Sequence, residues 1–88
     1  MSVRRFDPAP PILVDLDDTG RPGALVWRGR VEQVVAVEAT WDETEGWWRG
    51  PDGATARRCY RVRAATGLRC LLYHDRADDA WALGALLD

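Results

Sequence analysis

The side chains able to do chemistry in this chain are mostly arginines and aromatics, and they gather in its second half. They run Trp47-Trp48-Arg49, Arg57-Arg58, Tyr60-Arg61-Val62-Arg63, Arg69, Leu72-Tyr73 with His74 and Asp75, and then Trp81. Guanidinium groups grip carboxylates and phosphates, and rings stack or fill apolar pockets. This is the chemistry of recognition, not of bond cleavage. The best contact candidates are one of Trp47 and Trp48, with Arg57, Arg58, Arg61 and Arg63. Adjacent residues of an extended segment point to opposite faces, so one ring of the Trp47/Trp48 pair enters the core. The other meets a partner or covers the open end of a small barrel.

Other chemistries fit poorly. Cys70 and His74 share a face of one strand, but four residues of strand separate them by about 13 Å, too far for a nucleophile and its base. One His and two Cys with no C-x-x-C or H-x-x-x-H spacing give no metal site. No Gly-rich phosphate loop is present. The expectation is a protein that is not an enzyme, with no catalytic residues, no metal and no cofactor.

Val14-Asp15-Leu16-Asp17-Asp18-Thr19 resembles the first motif of the haloacid-dehalogenase-like phosphatases. The resemblance would make Asp15 the nucleophile and Asp17 the acid/base. That chemistry also needs a doubly wound parallel sheet, a downstream Lys or Arg for the phosphate, and distal acids for Mg²⁺. The chain has no Lys and no βαβ pattern, and a strand running into a turn explains the same residues.

The net charge of −2 hides a segregation. Residues 54–74 carry five Arg and no acid, and acidic stretches lie on both sides. One reading makes the block a patch for an anionic partner. The other pairs it internally with Glu32, Glu38, Glu43 and Glu45. All twelve basic residues are Arg. The chain is the size of one domain. Its apolar runs are too short to span a membrane, no leader is read, and cysteine usage points to the reduced cytoplasm.

Positioning falls to short strands. Residues 1–11, with Pro8, Pro10 and Pro11, read as an extended or frayed arm, and 12–88 as the domain. Ile12–Leu16 and Ala24–Trp27 read as strands on either side of a turn rich in Asp and Gly. Arg28-Gly29 reverses the chain into the clearest strand, 31–41, whose alternation puts Val35, Val37 and Trp41 in the core. Arg57–Ala64 and Leu68–Asp75 form a hairpin about Thr66-Gly67. Tyr60 and Val62 then share a face with Leu71 and Tyr73, and Cys59, Arg61 and Arg63 share the other with Cys70 and Leu72. That register puts Cys70 opposite Arg63, out of bridging reach of Cys59. Trp81 to Leu87 closes the chain as a strand with Trp81, Leu83, Ala85 and Leu87 on one face, or as a short helix.

The layout resembles a family of small bacterial domains of unknown function. The residues that carry the resemblance are Trp27-Arg28-Gly29-Arg30, Trp41, Trp47-Trp48, Tyr60-Arg61-Val62, Leu72-Tyr73 with Asp75, and Trp81 with Leu83. Members resemble free-standing proteins, or tails of the inactive Y-family-polymerase-like subunit of mutasomes. The resemblance implies a setting in DNA damage tolerance and supplies no catalytic residues. The chain departs from the family pattern at Asp78-Asp79-Ala80 and at Val31–Val34.

The expected fold is all-β: a single antiparallel sheet or partly open SH3-like barrel of five to six strands, or α+β if 77–87 is helical. The expected function is a non-enzymatic module docking a protein partner in translesion repair. The alternative binds single-stranded nucleic acid, with Arg57, Arg58, Arg61, Arg63 and Arg69 as groove and Trp47 or Trp48 and Tyr60 or Tyr73 as stacking rings. A homodimer through exposed edge strands is a third arrangement.

Overall fold

The computed structural model describes residues 3–45 and 55–87. They form seven antiparallel strands: β1 (Val3–Arg5), β2 (Leu13–Leu16), β3 (Pro22–Trp27), β4 (Arg30–Glu45), β5 (Thr55–Ala64), β6 (Arg69–Asp75) and β7 (Ala80–Leu87). They belong to one open sheet in the order β1-β7-β6-β5-β4-β3-β2. The chain is thus all-β, with seven strands where five to six were expected. Residues 80–87 are strand and not helix.

Local chemistry explains the meander. Arg28 and Gly29 both have positive φ, 52° and 74°, and Trp27 pairs with Arg30. This is the two-residue reversal whose twist matches that of the flanking strands. Before β3, Asp17 organises its turn. Its Oδ1 accepts from the Thr19 backbone N–H at 2.8 Å, the Thr19 hydroxyl at 2.6 Å and the Arg21 N–H at 3.0 Å. Those bonds, the Thr19 hydroxyl first, hold the Asp17 carboxyl below its ordinary range.

Three expectations about faces are corrected, by one extra residue in the hairpin and in β7 and by two in β4. In the β5–β6 hairpin the loop is Ala65-Thr66-Gly67, with Gly67 at φ 93° and the Ala64 N–H bonded to Leu68 O at 2.7 Å. A three-residue loop ending in left-handed Gly moves the register by one. Val62 therefore faces Cys70 and Tyr60 faces Leu72. In β4 the register shifts between Val34 and Ala36 and again between Val37 and Ala39. Each bulge flips the alternation. Val34 and Val37 pack against the core, whereas Val35 is 58% exposed and Trp41 37%. In β7 the register slips at Gly84, because Leu71 pairs with Ala85 while Leu72 pairs with Leu83. Leu86 then joins Trp81 and Leu83 against the core cluster in place of Leu87, while Ala85 is buried outside that cluster.

The core is Ile12, Leu25, Tyr60, Val62, Cys70, Leu72 and Leu83. Leu25 comes from β3, so the β2–β3 end of the sheet folds over the β5–β6–β7 face, and the two bulges of β4 lie between those parts. The stretch read as an extended or frayed arm is hydrogen-bonded to β7. Val3–Arg5 pairs with Leu87–Ala85, Phe6 N–H reaches Gly84 O, Leu83 N–H reaches Pro10 O, and Ile12 N–H reaches Trp81 O at 2.8–3.1 Å. One continuous stretch therefore serves β7 with its first part and β3 with its last, and both edge strands belong to it.

Candidate functional site

Most of the basic block is spent inside the fold. Arg57 is bound twice by Glu43 Oε2, from Nε at 3.0 Å and Nη2 at 2.7 Å, and its guanidinium lies 3.8 Å from the Tyr73 ring centroid. Glu43 also accepts the Trp41 indole N–H at 3.1 Å. Arg58 pairs with Asp42 at 2.8 Å. Arg69 donates to Glu38 Oε1 at 3.0 Å, and Glu32 accepts the Thr66 hydroxyl at 2.7 Å. Glu38 and Glu43 thus pair with the basic block as the internal reading requires, whereas Glu32 engages Thr66 and not an arginine. The side chain of Glu45 lies outside the described residues.

The β4–β5 ion pairs carry a pH signature. Hydrogen bonds from Arg57 first, then Trp41, hold the Glu43 carboxyl below its ordinary 4.5, and the Arg58 hydrogen bond does the same for Asp42. A carboxylate whose folded-state pKa is depressed adds stability above its unfolded value and loses it as the pH falls through the folded one. Below about pH 4.5 the native chain should therefore destabilise more steeply than Glu43→Gln. Urea melts of both across the acid range are the check, and parallel curves would show that the pair contributes nothing.

Several aromatic rings are engaged too. Tyr73 is sandwiched between Arg57 and Gly84, where an added Cβ would sit 2.4 Å from Tyr73 Cζ. Trp81 stacks on His74 at 4.3 Å and tilts against Tyr60 at 5.4 Å, and His74 Nε2 lies 2.8 Å from Asp79 Oδ1. Trp27 meets Phe6 edge-on and Arg28. Trp47 and Trp48 lie outside the described residues. Beside Arg57 and Tyr73 is a cavity of about 320 Å³ lined also by Asp75, Trp81, Ala82 and Pro11. Its aromatic members reach it with ring faces already covered.

The cysteines are inert. Cys59 and Cys70 are free and buried, and the corrected register puts them on opposite faces of the hairpin. Burial pushes the Cys59 thiol up to about 11 and the Cys70 thiol to about 12, so neither is a thiolate nucleophile at neutral pH. Among the described residues, no group of three or more His, Cys, Asp or Glu is placed to hold a metal.

Of the four candidate arginines, Arg57 and Arg58 are neutralised. Arg61 approaches Glu38 only to 3.9 Å, with its Nε buried and without a hydrogen-bond partner. Arg63 is exposed and makes no ion pair among the described residues. Sequence reasoning passed over a different surface. Leu13 pairs with Val26 and Val26 with Val31, which makes a cross-strand row on one face of the β2–β3–β4 part. Leu13 is 73% exposed and Val31 63%, a groove of about 210 Å³ runs along them and Asp15, and β2 is an unpaired sheet edge. The only signal in the sequence was one apolar residue on the outward face of each of three neighbouring strands.

Among known proteins, a family model described as a domain of unknown function (DUF6504) matches residues 2–88. No curated protein matches the chain, and no solved structure matches it.

Proposed function

The chain belongs to that family, DUF6504, and we propose that it is a non-enzymatic module that docks a protein partner along β2 and its apolar face. The observation that carries this reading is the Leu13–Val26–Val31 row beside a free edge. Edge strands left apolar and unpaired are where a partner strand adds, its main chain bonding to the edge while its side chains fill the adjoining apolar positions. The opposite edge is built differently: β1 is three residues long and carries Arg4 and Arg5, the charges that discourage such pairing. The resemblance to mutasome-associated domains makes bacterial DNA damage tolerance the proposed setting, and a translesion-repair component the proposed partner. Single-strand binding is the weaker alternative, because Tyr73 and Trp81 already pack against Arg57 and His74 and two of the candidate arginines are paired.

The test is in-cell cross-linking with the native chain and with a Leu13→Asp/Val31→Asp variant, which keeps its fold because both positions are exposed. The expected result is a discrete protein partner captured by the native chain and reduced at least tenfold in the variant, the order of change that losing a buried apolar contact brings. Equal capture by both would remove β2 as the docking edge. Capture of nucleic acid in place of protein would select the alternative, and capture of the chain itself would make the partner a second copy.

A further inference from the structure

A second surface lies on the far side of β5 and does not depend on what β2 docks. Arg61 and Arg63 alternate along β5 and so share a face. Arg69 lies directly opposite Arg63 on β6. Within the strand the two β5 arginines are about 7 Å apart, and opposed residues bring their Cβ atoms to about 5 Å. One acid, Glu38, serves the group, taking Arg69 at 3.0 Å and standing 3.9 Å from Arg61.

Three features of this cluster are unfinished. Like charges placed directly opposite on a sheet repel, and Arg63 and Arg69 are so placed. Three guanidiniums around one carboxylate leave an excess of two positive charges. Arg61 Nε is a buried donor with no acceptor, a state that costs free energy until an acceptor arrives.

We propose that Arg61, Arg63 and Arg69 form a binding site for carboxylates of a short acidic segment of a protein partner. A carboxylate between Arg63 and Arg69 relieves their repulsion and takes planar, two-pronged hydrogen bonds. A second pairs with the accessible end of Arg61, whose side chain is 43% exposed. Half-buried Leu71, paired with Arg61, offers an apolar contact between the charges. The patch is short. Toward one end of β5 the Arg57–Glu43 and Arg58–Asp42 pairs are neutral, and beyond the turn Glu32 holds Thr66. A long phosphodiester would run past those carboxylates, whereas a short acidic stretch fits between them.

The experiment is fluorescence anisotropy of a short labelled peptide of glutamates and leucines, with an oligothymidylate of equal charge as comparator. Peptide binding should fall roughly tenfold in Arg63→Ala, the loss of one charge-assisted contact. It should strengthen in Glu38→Gln, which frees Arg61 and Arg69 from their resident acid. A variant that tightens binding cannot be explained by a damaged fold. The Leu13→Asp/Val31→Asp protein should bind the peptide normally, which separates this site from the β2 surface. Absence of peptide binding at low salt, no response to either Arg63→Ala or Glu38→Gln, or tighter binding of the oligothymidylate would each overturn the proposal.

Discussion

Leu72→Ala should lower the melting temperature by about 10–30 °C, the largest effect of any single truncation considered. Leu72 is completely buried and sits at the middle of the sheet, paired with Tyr60 on one side and Leu83 on the other. Removing a large buried aliphatic costs its transfer free energy and leaves a cavity, together about 2–5 kcal/mol. For a domain of this size each kcal/mol shifts the midpoint by roughly 4–8 °C. Total stabilities of small domains are only about 5–15 kcal/mol, so a substantial unfolded fraction at ambient temperature is within range. Calorimetry gives the number. A shift as small as that of an exposed substitution would mean that the β2–β3 lobe does not close over the β5–β7 face.

The second large effect is at Gly84. Its φ is unexceptional, so the constraint is space: a Cβ there would meet Tyr73 Cζ at 2.4 Å, Cε2 at 2.6 Å and the phenol oxygen at 2.8 Å. The ring cannot lift freely, because the Arg57 guanidinium lies against its other face and is itself fixed by Glu43. Gly84→Ala should therefore cost about 1–3 kcal/mol, as overpacking does. In a Tyr73→Ala background the same change meets no ring and should cost almost nothing, which makes the pair strongly coupled in a double-mutant cycle. Additive costs would show that the ring yields without strain and that Arg57 is not holding it.

Elements were legible wherever their signal was local. Trp27-Arg28-Gly29-Arg30 announces a two-residue reversal by itself, because Gly29 and Arg28 adopt positive φ inside a single hairpin. Asp17 to Gly23 reads as a turn for the same kind of reason. The existence of the β5–β6 hairpin and of the last strand followed from alternation and from Gly67. Faces were less legible, because one residue more or less inverts them. Val34-Val35-Ala36-Val37 is apolar throughout, so the first bulge of β4 leaves no mark in the sequence, and the expected parity already fails at exposed Val35. Thr66-Gly67 looks like a complete two-residue turn, and nothing local says that Ala65 belongs to it.

The functional surfaces divide along the same line. That Arg61 and Arg63 share a face followed from strand period alone. That Arg57 and Arg58 are consumed by Glu43 and Asp42 depends on how β4 and β5 align across a connection containing Trp47 and Trp48, a non-local matter. The apolar row of Leu13, Val26 and Val31 needs three strands in register before it exists. Val26 and Val31 read as ordinary strand residues until Leu13 is set beside them.

The stretch that holds both sheet edges bears on how the chain reaches its fold. From β2 to β7 every strand pairs with its sequence neighbour, so each hairpin closes a short loop and the meander can zip in steps. Pairing of β1 with β7 joins Val3 to Leu87 and pays the entropy of closing nearly the whole chain. Contacts of such long sequence separation slow folding when they belong to the nucleus. If the hairpins form first and build a template for it, the clasp forms on the downhill side of the barrier. It governs how fast the molecule opens more than how fast it assembles.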